Sequence, residues 1–183
     1  MIYGHPSHLT GPGDVQCWTS RDGVGQWELC GTVAEHDAES NRGNVAVGLA
    51  HNGDLVALVS GWTGPPGYRK KILPPLVCRS SDGGRTWKTD KSAITLPKEI
   101  SQDDKKRGPI PYGSIVKQSK DKMAAAFYDT SGAVFVLFSE DDGRTWGNAS
   151  VLTKEYGTET TLLRLRPNRL LAVSRAGKGP DPD

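Results

Sequence analysis

Ser80-Ser81-Asp82-Gly83-Gly84-Arg85-Thr86-Trp87 and Ser139-Glu140-Asp141-Asp142-Gly143-Arg144-Thr145-Trp146 are two copies of one pattern, Ser-x-Asp-x-Gly-x-Thr-Trp. A degenerate third copy keeps Ser20, Asp22 and Trp27 but carries Val24 in place of the Gly and Gln26 in place of the Thr. The copies recur about every sixty residues, and a period of that length marks a series of similar supersecondary units. Each residue type in the pattern has a folding duty in a tight hairpin loop. The Asp carboxylate accepts hydrogen bonds from backbone amides ahead of it, and Gly supplies positive φ. The Ser and Thr hydroxyls close further bonds, and Trp packs the loop onto its sheet. The loop aspartates are therefore read as structural, with no part in catalysis or metal binding.

Strand signals surround the loops. Residues 114–117, 123–128 and 134–138 precede the third loop, each apolar or β-branched and separated by Lys, Ser, Asp and Gly turns, and 149–153 follows it. Residues 44–50, 55–60, 76–80 and 92–96 repeat the arrangement around the second loop, with Asn52-Gly53 as the turn signal between the first two. Four antiparallel strands per repeat make a propeller blade. Before the first loop lie one good strand at 14–19 and a weaker one at 7–9. After the third repeat, 160–165 and 169–174 supply the first two strands of a further blade. The expectation is an all-β fold: a single partial β-propeller domain over 1–183, with blades at roughly 1–33, 42–97, 111–153 and 158–175. About three to three and a half blades leave open edges, which are templates for self-association.

Composition agrees. Among 183 residues, 22 Gly and 12 Pro punctuate the chain too often for long helices, while 36% hydrophobic residues suffice for a core. A net charge of +2 provides no basic footprint for nucleic acid or for an anionic membrane. No apolar run reaches the length of a membrane span, and the first ten residues lack the layout of a signal peptide. As written the chain reads as cytoplasmic, with a secreted or periplasmic location following if its N-terminus is truncated. Cys17, Cys30 and Cys78 lack Cys-x-x-Cys spacing and nearby His ligands, so neither metal nor cofactor is expected. Two readings of the cysteines stand: buried thiols, or a Cys17–Cys30 bridge across a short hairpin loop.

Strand order separates two faces. In an up-and-down meander the start of strand one and the end of strand two share one edge, and the loop joining strands three and four lies at the other. All three repeat loops fall on one face. The opposite mouth collects Arg42, Trp62, Tyr112, Asp129, Glu159 and Arg175, a mixture of opposite charges and aromatic rings suited to a polar ligand. The His36-Asp37 pair sits in a polar loop at the same mouth. Each candidate also has a plain structural reading: Glu159 and Arg175 pairing with each other, Arg42 solvated, Asp129 forming a turn, and Trp62 and Tyr112 packing.

The loop pattern resembles the Asp-box, or bacterial neuraminidase repeat, found between the third and fourth strands of sialidase propeller blades. A second stretch extends the resemblance. Thr158-Glu159-Thr160-Thr161-Leu162-Leu163-Arg164-Leu165-Arg166-Pro167-Asn168-Arg169-Leu170-Leu171-Ala172-Val173-Ser174-Arg175 is similar to the sialidase pattern in which a Glu opens a first strand and an Arg closes the second. Thr158 stands where that pattern has Asn, and Asn168 stands near its Gly. The resemblance implies an exo-sialidase-type glycoside hydrolase acting on a terminal acidic sugar. Arg175 and Arg42 would bind the substrate carboxylate, and Glu159 would polarise a nucleophilic tyrosine. It also implies a general-acid Asp in the loop at 61–68, which here contains no carboxylate. The third clamp arginine and the tyrosine have no counterpart in the chain. The isolated polypeptide is accordingly expected to hydrolyse little, and a non-catalytic propeller that binds glycan or protein is the alternative reading.

Overall fold

The computed structural model describes residues 2–3, 11–64, 71–96 and 108–177. The weaker strand expected at 7–9 and positions 65–68 of the acid-free loop lie outside them. Among the described residues every regular element is a strand. The first unit comprises β1 (Ile2–Tyr3), β2 (Val15–Ser20) and β3 (Trp27–Ala34). The second holds β4 (Asn44–Leu49) and β5 (Leu55–Ser60), the two-residue strands β6 (Trp62–Thr63) and β7 (Lys71–Ile72), then β8 (Leu76–Ser80) and β9 (Lys88–Asp90). The third is β10 (Ile110–Lys117), β11 (Met123–Tyr128), β12 (Val134–Ser139) and β13 (Gly147–Thr153), and the fourth is the hairpin of β14 (Gly157–Arg166) and β15 (Arg169–Ala176).

Within units neighbouring strands are antiparallel; between the second and third, β4 and β10 run parallel, with Gly113 opposite Ala46 and Ser114 opposite Val47. The order β13-β12-β11-β10-β4-β5-β8-β9 is thus two four-stranded blades joined through their first strands. Such blades, with no helix among the described residues, make up a partial β-propeller.

The core lies between blades, and strand alternation explains it. Successive side chains point to opposite faces, so Val56 and Leu58 of β5 pack toward the third blade while Ala57 and Val59 pack toward the first. In β11, Met123, Ala125 and Phe127 face the second blade, and Ala124 and Ala126 face the fourth unit through Leu162. Strands buried on both faces read as continuous apolar runs, which is the form of Leu55–Ser60 and Met123–Tyr128. Each large side chain so buried contributes about 1.5–3 kcal/mol. Phe127 and Phe135 stack with centroids 5.8 Å apart. Beyond the fourth unit the alternation presents Leu163, Leu165, Leu171 and Val173 to solvent.

Two expectations need correction. The fourth strand of the second blade is Lys88–Asp90, directly after the loop, and not 92–96. Residues 92–96 instead meet the third loop: Trp146 N–H donates to Ala93 O, and Thr95 N–H donates to Trp146 O, both at 2.8 Å. Their apolar residues serve the second core, against which Ile94 and Leu96 pack. Tyr112, expected in a loop ahead of its strand, lies within β10, whose pairing with β11 shifts register between Tyr112 and Val116. The strand Trp27–Ala34 and the short β6–β7 pair are additions to the expected set.

The Asp-boxes form as their residue types require. In the second, Asp82 accepts from the Ser80 and Thr86 hydroxyls and from the amides of Arg85 and Thr86; the third repeats this with Asp141, Ser139, Thr145 and Arg144. The Thr86 hydroxyl and amide, with the Ser80 hydroxyl, hold the Asp82 carboxyl well below the usual range. Gly84 and Gly143 have φ of +92° and +79°, and each faces the preceding blade: a Cβ at Gly84 would meet Cys17 Sγ at 2.6 Å, and one at Gly143 would meet Val56 Cγ2 at 3.2 Å. The first box carries Val24 at this position, fully solvent-facing, and has no preceding blade among the described residues to dock on. Its Trp27 is 58% exposed, whereas Trp146 is 2% exposed and donates its indole N–H to Gly143 O. Replacing Trp146 by Ala is expected to cost about 3–5 kcal/mol in urea unfolding, against about 0.5 kcal/mol or less for Trp27→Ala. Equal losses would contradict this division between the boxes.

Candidate functional site

Strand register brings the six mouth residues to one edge. Asn44 pairs with Ser60, Ile110 with Tyr128 and Thr160 with Ser174, so the starts of β4, β10 and β14 lie beside the ends of β5, β11 and β15. The parallel β4–β10 pairing carries this edge from one blade to the next. Gly113 lets β14 approach β10, since a Cβ there would lie 2.9 Å from Thr161 Cα, and Ser114 N–H donates to Thr161 Oγ1 at 3.3 Å. Arg42 and Trp62 therefore flank the second blade, Tyr112 and Asp129 belong to the third, and Glu159 and Arg175 to the fourth unit.

Tyr112, Glu159 and Arg175 share an open cleft of about 520 Å³ with Thr161, Val173 and Ser174. Arg175 Nη1 donates to both Glu159 oxygens, at 2.9 and 3.1 Å. Thr158 Oγ1 donates to Glu159 Oε2 at 3.1 Å. Burial works against the Glu159 charge, yet the bonds from Arg175 and Thr158 prevail and hold its carboxyl below the ordinary 4.5. The Arg175 side chain is 73% exposed and that of Glu159 29%. An ion pair this open is worth at most about 1 kcal/mol, so a ligand carboxylate can take over the guanidinium at small cost.

Arg42 is held differently. Its backbone N–H donates to Gly13 O at 2.8 Å, while its Nε and Nη1 are buried and have no hydrogen-bond partner among the described residues. Burial disfavours its charge, partly offset by the Asp37 carboxylate. Trp62 is pinned beside it: its backbone N–H donates to Asn41 Oδ1 at 3.0 Å, and its indole N–H donates to Asn44 Oδ1 at 3.1 Å. Asp129 is buried, and its Oδ1 accepts from the Ser131 amide and hydroxyl and from the Ala133 amide, which closes the β11–β12 turn. His36 is drawn away from Asp37; its amide and Nδ1 both meet Asp14 Oδ1 at 2.7 Å.

Sequence reading passed over three residues at this mouth. Asn41 and Asn44 are buried and position Trp62; polar residues opening an apolar strand were the available signal. Tyr128, last in β11, has its phenol pushed up to about 12 by burial and by the Glu159 charge, with a smaller contribution from Tyr112. Its place one residue before Asp129 already put it at the mouth.

A family profile described as a BNR repeat-like domain matches residues 6–180. The chain belongs to this family. Solved structures agree in fold. A Trypanosoma rangeli sialidase mutant displaying trans-sialidase activity superposes with a TM-score of 0.61 at 19% identity, over 91% of this chain and 30% of that one. A structure of NanB plus Optactamide gives a TM-score of 0.52 at 18% identity, over 80% of this chain and 21% of that one. The BNR-repeat chain thus spans less than a third of either. At these identities the likeness is one of fold, and it is sialidase-like. No curated protein sequence matches.

In this BNR-repeat chain, removing the guanidinium beside Glu159 leaves burial as the main influence on its carboxyl. By NMR titration Glu159 is expected to have its midpoint below 4.5 in the wild type and at a higher pH in Arg175→Ala. The sign follows from linkage: a lowered folded value contributes stability above 4.5 that is lost as pH falls through the folded midpoint. An unshifted midpoint in the variant would show that the pair does not form in solution.

Proposed function

We propose that the mouth is the carboxylate-binding part of an exo-sialidase-type glycoside hydrolase site, within a single partial propeller domain covering 1–183. The observation that carries this reading is the Arg42 guanidinium. Its Nε and Nη1 are buried without a partner among the described residues; buried donors in that state are costly, and a planar guanidinium can donate two parallel bonds to a ligand carboxylate. Arg175 adds a second guanidinium on the same edge, released from Glu159 when an anion enters. Glu159 then serves to polarise a nucleophile supplied from outside this segment. Tyr112, exposed in the Glu159 cleft, offers a face to the sugar ring.

A binding module is the second reading, favoured by one observation: residues 61–68, where the sialidase resemblance asks for the general acid, contain no carboxylate. The second reading takes glycan or protein as ligand, and where that ligand is an acidic sugar both readings place it at Arg42. Titration with N-acetylneuraminic acid is expected to show saturable binding that falls tenfold or more in Arg42→Ala, since a charged hydrogen-bonded contact is worth about 1.5–3 kcal/mol. With a fluorogenic sialoside this 183-residue chain is expected to show negligible turnover, while a longer protein containing it turns over and loses activity in Glu159→Gln. Binding indifferent to Arg42 would remove the carboxylate site. Turnover by this chain that is lost in Arg175→Ala would contradict the need for outside residues.

A further inference from the structure

The side chains of Cys17 and Cys30 meet away from the mouth, where the first blade receives the second Asp-box. β2 and β3 pair with Cys17 opposite Gly31 and Trp18 opposite Leu29, so Cys30 is the extra residue of a bulge facing the Cys17–Trp18 step. Cys30 Sγ donates to Cys17 O at 3.1 Å. Both sulfurs also crowd one point: a Cβ on Gly84 would lie 2.6 Å from Cys17 Sγ and 3.3 Å from Cys30 Sγ. The sulfurs are therefore no farther apart than those two distances together. The bulge turns the Cys30 side chain to the side of Cys17, so the two sulfurs meet although Cys17 faces Gly31 across the ladder. Cys17 lines a cleft of about 390 Å³ with Trp18, Thr19, Val47, Leu55 and Gly83, which gives a small reagent a way in. Cys78 is fully buried in the core cluster against which Cys17 packs, and its sulfur has the Thr89 hydroxyl as a neighbour at 3.6 Å.

We infer that Cys17 and Cys30 form a thiol/disulfide couple, oxidised by small-molecule disulfides, that fastens the first hairpin beneath the second Asp-box. One cysteine thiolate attacks the S–S bond of the small disulfide, forming a mixed disulfide and releasing one thiolate. The second cysteine, as thiolate, attacks the protein sulfur of that mixed disulfide and expels the other. The protein gives up two electrons and two protons; the small disulfide takes them and leaves as two thiols. Burial and the adjacent Cys30 thiol push the Cys17 thiol up to about 11, so attack by Cys17 is slow at neutral pH. A slow couple of this kind suits a structural fastening that follows the redox state of its surroundings.

The test uses the whole chain, reduced and then incubated with oxidised glutathione. Under denaturing conditions, free thiols are expected to fall from three to one, with a Cys17–Cys30 cross-linked peptide in the non-reducing digest and full reversal by dithiothreitol. Cys78→Ser is expected to form the same cross-link. Cys17→Ser and Cys30→Ser are each expected to stop at a glutathione adduct. The oxidised chain is expected to melt at a higher temperature than the reduced one, because a bond between β2 and β3 restricts the unfolded chain. Three free thiols after prolonged incubation, or a cross-link involving Cys78, would overturn the couple. An oxidised form that melts no higher than the reduced would overturn the fastening.

Discussion

The parallel pairing of β4 with β10 is the constraint on which the rest depends. Two first strands can run side by side in the same direction only if both begin at the same edge. The Ala46–Gly113 register therefore puts Arg42 and Tyr112 on one side of the molecule. β14, packed against β10 through Gly113 and Thr161, brings Glu159 to the same edge. Because every hairpin partner returns to that edge, Trp62, Asp129 and Arg175 follow. The mouth is a consequence of strand direction, and its charges need no local device to assemble them.

The opposite edge holds this arrangement in place. Asp142, beside the structural Asp141, is buried at φ 62° and points out of its own box. Its carboxylate accepts from the amides of His51 at 2.6 Å and Asn52 at 3.1 Å, in the β4–β5 turn of the preceding blade. Arg79, from β8 of that blade, donates to Asp142 O at 2.5 Å and to Asp54 Oδ2 at 2.8 Å, so the turn and the box are tied twice. The second box has Gly83 at the corresponding position and docks by shape, with Gly84 seated on the Cys17 and Cys30 sulfurs. Boxes of one sequence pattern thus differ in what they fasten, according to the blade they meet.

Much of this was legible in the residues. Leu55–Ser60 and Met123–Tyr128 were read to their observed bounds, because doubly buried strands are unbroken apolar runs closed by turn residues. Asn52-Gly53 marked its turn because Gly53, at φ 93°, supplies the positive φ that the turn requires. The Glu159–Arg175 contact is the plain structural reading of that pair, a Glu opening one strand and an Arg closing the next. Residues 92–96 misled because Ile94 and Leu96 are apolar for a tertiary reason, both packing on the core and Ile94 pairing with Trp146, and alternation alone cannot separate that from a sheet strand. That Arg42 Nε and Nη1 are buried with no partner among the described residues was also beyond sequence, since it depends on tertiary packing. The different fates of Trp27 and Trp146 likewise depend on neighbouring blades and not on the box itself.

In this account inter-blade apolar layers supply most of the stability, and the polar contacts at the two edges fix how the layers are aligned. The claim is sharpest at Asp142, where one carboxylate joins two blades. Native-state hydrogen exchange on the wild type and on Asp142→Gly, which keeps the positive-φ backbone as Gly83 does, tests it directly. The His51 and Asn52 amides are expected to lose protection and β4 and β10 to exchange faster, while β14 and β15 are unchanged. Faster exchange confined to those two amides, with β4 and β10 as protected as before, would contradict it.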